Sequence, residues 1–126
     1  PQSLATQIKG GAVMGYGLAL GERYIYDPKL GISGSIGFHN AKVPTILDIP
    51  SEMTVAHVGK PDTSNPVGAK GVGEPVQGAS AAAILVAISD ALGGHMFNRV
   101  PVVPDMIINA AAGRPQSHKP LAVNTQ

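Results

Sequence analysis

The sequence predicts an α+β domain, with helices packed on a small sheet and long Gly/Pro-rich loops joining them. Three observations predict it: two long stretches with helical character, two short β-prone runs, and abundant glycine and proline, 16 and 11 residues. At 126 residues the chain is one domain long (1–126), enough for a single modest core.

Between Leu4 and Leu20, apolar side chains recur at Leu4, Ile8, Ala12, Tyr16 and Leu20, the spacing of one helix face. Gly10, Gly11, Gly15 and Gly17 interrupt it, and each costs a helix about 1 kcal/mol relative to alanine. Such a helix needs compensation, and close backbone approach by a neighbouring element or a ligand is the usual source. The alternative is a short helix ending near Gly10 with a loop beyond. Arg23–Tyr26 has strand composition and stops at the turn signal Asp27-Pro28. Residues 31–50 read as irregular chain, and Met53–Val58 as a second strand. From Gly59 to Gly78 no apolar periodicity survives, and an ordered loop of that length is usually functional. Ala79–Leu92 is the clearest helix, apolar nearly all round and so expected to be buried on most faces, with Gly93-Gly94 as its stop. Pro104–Ala112 forms a last short helix ended by Gly113, and residues 114–126 are polar and extended.

Composition removes several function classes. The net charge of +1 offers no basic stripe for nucleic acid. The longest apolar run, Ala81–Ile88, is far short of the about 20 residues that span a bilayer. No signal peptide is recognisable, so the expected location is the cytoplasm. Without cysteine there is no disulfide, thiolate-bound zinc or iron–sulfur cluster held by this chain. His39, His57, His95 and His118 are scattered without ligand spacing, so no protein-held metal is expected. Charged residues reach only 13%, about half the usual share, which suggests that much of the surface meets other protein. Pro1 stands where an initiator methionine would, so the chain is expected to be a piece of a longer one.

The most informative segment is Gly68-Ala69-Lys70-Gly71-Val72-Gly73-Glu74-Pro75. Its glycines allow backbone to approach a ligand, and Pro75 biases Glu74 towards an extended conformation. A carboxylate aimed from so constrained a platform suits general-base work. The bland reading is a Gly-rich turn into the next helix, with Glu74 beside a positive helix end. The dinucleotide pattern fails because Val76 stands where its third glycine belongs, and the P-loop fails because Lys70 is followed by Gly71. No serine sits in a nucleophile elbow. Gln7 lies just before the glycines of the first helix, either facing solvent or facing a ligand.

Taken in order, Gln7-Ile8-Lys9-Gly10-Gly11, Lys42-Val43-Pro44-Thr45 with Asp48-Ile49-Pro50, the Gly68–Pro75 block, the alanine-rich helix and Pro101–Asp105 resemble a known family. They resemble the C-terminal part of the molybdopterin-binding large subunit of the xanthine oxidase and aldehyde oxidoreductase family. The resemblance implies a hydroxylation of an aldehyde or N-heterocycle with water-derived oxygen, and Glu74 as its general base. It implies a molybdenum–pterin cofactor, alone or as a dinucleotide, contacted by Gln7, Gly10, Gly11, Lys70, Gly71, Val72 and Gly73. It further implies iron–sulfur clusters, and in some members FAD, on partner domains or subunits, and the remainder of the large subunit as a partner. Lys9 stands where relatives often carry Glu, and Val76 replaces a frequent second Pro. The upstream residues that build most of the pocket are absent, so the chain is not expected to be active alone. The rival reading is an inactive assembly domain of the same family.

Overall fold

Helix α1 (Gln2–Leu20) lies along helix α3 (Gly73–Ala91), and this pair is the frame of the molecule. The structure, a computed structural model, describes residues 2–118. Between the two helices run a single helical turn, α2 (Phe38–Ala41), and a 3-10 turn at Ile46–Asp48. A short helix, α4 (Pro104–Ala111), follows α3.

The glycines of α1 find their compensation in α3. A Cβ on Gly11 would lie 2.8 Å from the Gly73 carbonyl oxygen and 2.9 Å from Val76 Cβ. One on Gly15 would lie 2.6 Å from both the Gln77 carbonyl oxygen and Ser80 Cβ. Only hydrogen fits at these positions, so α1 continues through its glycines to Leu20 and does not end near Gly10. The backbones meet, and dispersion along the seam offsets the poor helix propensity.

Four apolar side chains form the small core: Ala19, Ala81, Val102 and Met106. Val102 is 1% exposed, and its N–H donates to the Ala19 carbonyl at 2.7 Å, satisfying an end group of α1. Gly93 and Gly94, both at positive φ, close α3: Gly93 N–H donates to Asp90 O and Gly94 N–H to Ser89 O. Gly113, at positive φ, follows the end of α4 as predicted, and the helix itself stops at Ala111, one residue before the predicted Ala112. Residues 114–118 turn back along α4 instead of extending: Gln116 Nε2 donates to Met106 O and Ser117 Oγ to Asp105 Oδ2. The rest of the predicted polar tail, 119–126, lies outside the described residues.

The α+β prediction is overturned. Among the described residues the chain is all-α, four α-helices and a 3-10 turn with no strand or sheet. Arg23–Tyr26 does turn at Asp27–Leu30, but it gains a single antiparallel bridge, Tyr26 to Ser33. Met53–Val58 gains no pairing at all. β-prone composition describes a side chain's fit to a pleated surface, and without a partner ladder it makes no strand. Residues 31–50, expected to be irregular throughout, include α2 and the 3-10 turn. That turn is set by Thr45 and Asp48, which cap each other reciprocally.

Helix α3 begins six residues before the predicted start. The first turn of a helix needs no apolar periodicity, and the N–H that Pro75 lacks would have had no partner there. Glu74 is therefore helical and not extended, because pre-proline bias yields to a helix start. Nor is α3 buried on most faces. Ala81 alone is buried, and Val86 is 67% exposed, since α1 covers only one side. The accessible surface is 9697 Å², against about 6,300 Å² for a folded monomer of this size. Leu47, Val58, Phe38 and Ile36 are among many large apolar side chains that face outward. No helix among the described residues is long and apolar enough to cross a membrane.

Candidate functional site

The α1–α3 packing brings two of the predicted site segments together at one end of the pair. Gln7 projects from α1 so that its Oε1 lies 3.7 Å from where Gly73 would carry a Cβ. Gly73 and Glu74 open α3, and Val72 precedes them as the cap residue without a side-chain cap bond. The opening N–H groups of α3 therefore lack a capping side chain, and Glu74 sits in the first turn, where a negative charge is favourable. Glu74 and Gln7 are both exposed.

The remaining predicted residues divide. Gly11 is buried against Gly73 and Val76, so its missing side chain serves helix packing. Gly10 is exposed with open space around its Cβ direction. Lys70 and Gly71 are exposed on the run into α3, and Gly71 also faces open space. Gln7 further belongs to a shallow polar depression with Gln2, Ser3 and Thr6 on the α1 surface.

Sequence reasoning missed the device upstream of this end. The Asn65 side chain pairs with the backbone of Ala69 in both directions: Ala69 N–H donates to Oδ1 and Nδ2 donates to Ala69 O, each at 2.9 Å. Asp62 N–H donates to Gly68 O and Gly68 N–H to Asn65 O, so residues 62–69 form a closed knot. The Ser64 hydroxyl and then its N–H donate to the Asp62 carboxylate, which holds that carboxyl below its ordinary pKa. The signal was present as Asp62-Thr63-Ser64-Asn65-Pro66, a run of turn-forming residues. A comparable capture occurs at Asp48, lowered by the Thr45 N–H and then by its hydroxyl.

An apolar hollow of about 300 Å³ lies between the two long helices and the 48–53 segment, lined by Val13, Tyr16, Met53 and Ile84 among others. It does not include Gln7 or Glu74. Among the described residues, no three His, Asp or Glu side chains gather as a metal site would require.

Residues 1–50 match the family described as molybdopterin cofactor-binding domain. The chain is 31% identical over 115 residues to the nicotine 6-hydroxylase large subunit of Paenarthrobacter nicotinovorans, covering 90% of this chain and 14% of that one. It is 36% identical over 104 residues to the aldehyde oxidoreductase of Megalodesulfovibrio gigas, covering 82% and 11%. It is 35% identical over 99 residues to the xanthine dehydrogenase molybdenum-binding subunit of Escherichia coli, covering 78% and 13%. The crystal structure of quinoline 2-oxidoreductase from Pseudomonas putida 86 superposes with a TM-score of 0.78 at 32% identity, over 91% of this chain and 15% of that one. The chain thus spans about one seventh of the length of such relatives. On these matches it belongs to the xanthine dehydrogenase and aldehyde oxidoreductase family, as a part of the molybdopterin-binding large subunit.

Proposed function

We propose that this chain is the C-terminal part of that subunit and forms one wall of the active site of a molybdenum hydroxylase. The reaction is oxidation of an aldehyde or an N-heterocycle with water-derived oxygen, and Glu74 is the general base. The observation that carries the reading is the meeting of Gln7 with the Gly73–Glu74 start of α3. Two relatives are named for N-heterocycles, nicotine and quinoline, and one for aldehydes, which supports the substrate class.

The donor set suits an organic cofactor that brings its own metal ligands. It consists of one primary amide, uncapped helix N–H groups, glycine backbone and one carboxylate. When bound, the molybdenum–pterin cofactor supplies oxygen transfer and accepts two electrons, which leave through iron–sulfur clusters on a partner domain or subunit. Within this chain, the Gln7 amide would hydrogen-bond the cofactor. Gly10, Gly71 and Gly73, with the backbone of Lys70 and Val72, would leave room for it, while Gly11 would act through its packing against Gly73. Glu74 would accept the proton of the water-derived nucleophile and later release it to solvent.

The test is Glu74→Gln in the assembled enzyme. The amide keeps the size but accepts no proton, so turnover per bound molybdenum falls by about 10²–10⁴-fold with metal content held. Near-wild-type turnover per metal would leave Glu74 a structural helix-start residue.

A further inference from the structure

The geometry points to Asn65 as a positioning residue for Glu74. The inference rests on the reading of Glu74 as base, and it concerns what holds that base in place. Glu74 is exposed, and Val72 caps α3 without a side-chain bond. Among the described residues, the N–H groups of Lys70, Gly71 and Val72 donate to no other backbone. The segment that delivers Glu74 is therefore tied at its downstream end by α3 and at its upstream end by the 62–69 knot.

Asn65 is the centre of that knot. Its amide presents one acceptor and one donor to the matching pair on Ala69, both at 2.9 Å, as a neighbouring strand would. Its own carbonyl accepts from Gly68 N–H at 3.2 Å. Gly68 makes the turn possible: it sits at φ +66°, and a Cβ there would lie 2.8 Å from Pro61 Cβ. These bonds fix the direction in which the chain leaves Ala69 for Glu74, five residues later in the helix start. A general base is sensitive to that direction, because a misplacement of about 1 Å can cost on the order of 10²-fold in rate.

Asn65→Ala removes both bonds, and Asn65→Asp keeps the acceptor but sets a carboxylate oxygen against the Ala69 carbonyl. Both are compared with Glu74→Gln in the assembled enzyme, as kcat and KM per bound molybdenum and as amide hydrogen exchange across residues 66–76. Asn65→Ala is expected to lower kcat by about 10–100-fold, with KM and metal content little changed and with faster exchange in that segment. For Asn65→Asp, the ratio of variant to wild-type kcat should climb as the pH falls, because the protonated carboxyl regains a donor for the Ala69 carbonyl. Added to Glu74→Gln, Asn65→Ala should lower the residual rate by less than about twofold, since both act on one step.

Wild-type kcat in Asn65→Ala, a kcat ratio flat with pH in Asn65→Asp, or full additivity with Glu74→Gln would each overturn the proposal. If Asn65→Ala does not assemble, the pH-dependent ratio of Asn65→Asp decides alone. Should Glu74→Gln retain turnover, the assignment of the base fails first. Should Glu74→Gln be impaired while both Asn65 variants match wild type, only the positioning role fails.

Discussion

Gln7 Oε1 and the missing side chain of Gly73 face each other at 3.7 Å, an ordinary van der Waals distance. Alanine therefore fits at position 73 without displacing Gln7. Because alanine is the better helix former, Gly73→Ala should hold or raise the thermal unfolding midpoint, by up to about 1 kcal/mol in stability. Turnover per bound molybdenum should fall nonetheless, since the methyl group enters the space through which the cofactor's edge approaches. Unchanged turnover would make Gly73 a helix-start glycine and nothing more.

Gly15 and Gly10 should respond in opposite directions. Gly15→Ala drives a methyl group to 2.6 Å from the Gln77 carbonyl, a backbone atom that cannot step aside cheaply. Overpacking of this kind costs about 1–3 kcal/mol. Gly10→Ala meets open space and should gain up to about 1 kcal/mol. Denaturant unfolding of the two variants side by side checks the seam. Equal effects would mean that α1 and α3 do not meet as described.

Acid should loosen the turns before it touches the α1–α3 seam. Asp62 is held below its ordinary value of 3.8 by the Ser64 hydroxyl and N–H. Asp27 is lowered by the N–H groups of Leu30 and Lys29. A carboxyl with a depressed folded pKa contributes its stability above the unfolded value and loses it as the pH falls through the folded one. The 62–69 knot should thus be intact at neutral pH and relax only below pH 3.8. Carboxyl-carbon NMR titration of Asp62 reads this directly, and a midpoint at or above the ordinary value would contradict the hydrogen bonds.

Outside its larger subunit the chain should self-associate. Val86 on α3, Phe38 on α2 and Leu47 in the 3-10 turn all face outward, and exposed apolar area on this scale marks surfaces that other protein covers. Light scattering across a concentration series should show mass rising with concentration. A strictly monomeric chain at all concentrations would count against it.

Parts of this architecture were legible in the sequence. The four-residue spacing of Leu4, Ile8, Ala12, Tyr16 and Leu20 marked α1, and the cost of its glycines showed that something must pack against them. The identity of that element was hidden, because Gly11 and Gly15 meet Gly73, Gln77 and Ser80 only after a long loop has closed. The start of α3 was read too late because Gly73–Gly78 carries no apolar rhythm, and a helix's first turn does not need one. Arg23–Tyr26 and Met53–Val58 were β-prone by composition, but strand formation depends on a partner that composition does not name. For the site, the Gly68–Pro75 block stood out locally, whereas its nearness to Gln7 is a tertiary fact. Asn65 was overlooked because an Asn-Pro pair reads as an ordinary turn until its amide is seen to grip Ala69.

The order in which the chain is synthesised acquires a meaning from the α1–α3 seam. The glycine face of α1 is made first, and its complement on α3 leaves the ribosome only after the intervening loop, seconds later at about 5–20 residues per second. During that interval α1 carries a helix-weakening sequence without the α3 surface that meets Gly11 and Gly15. The meeting of Gln7 with Gly73 therefore waits for the arrival of α3, and Glu74 comes into place with it.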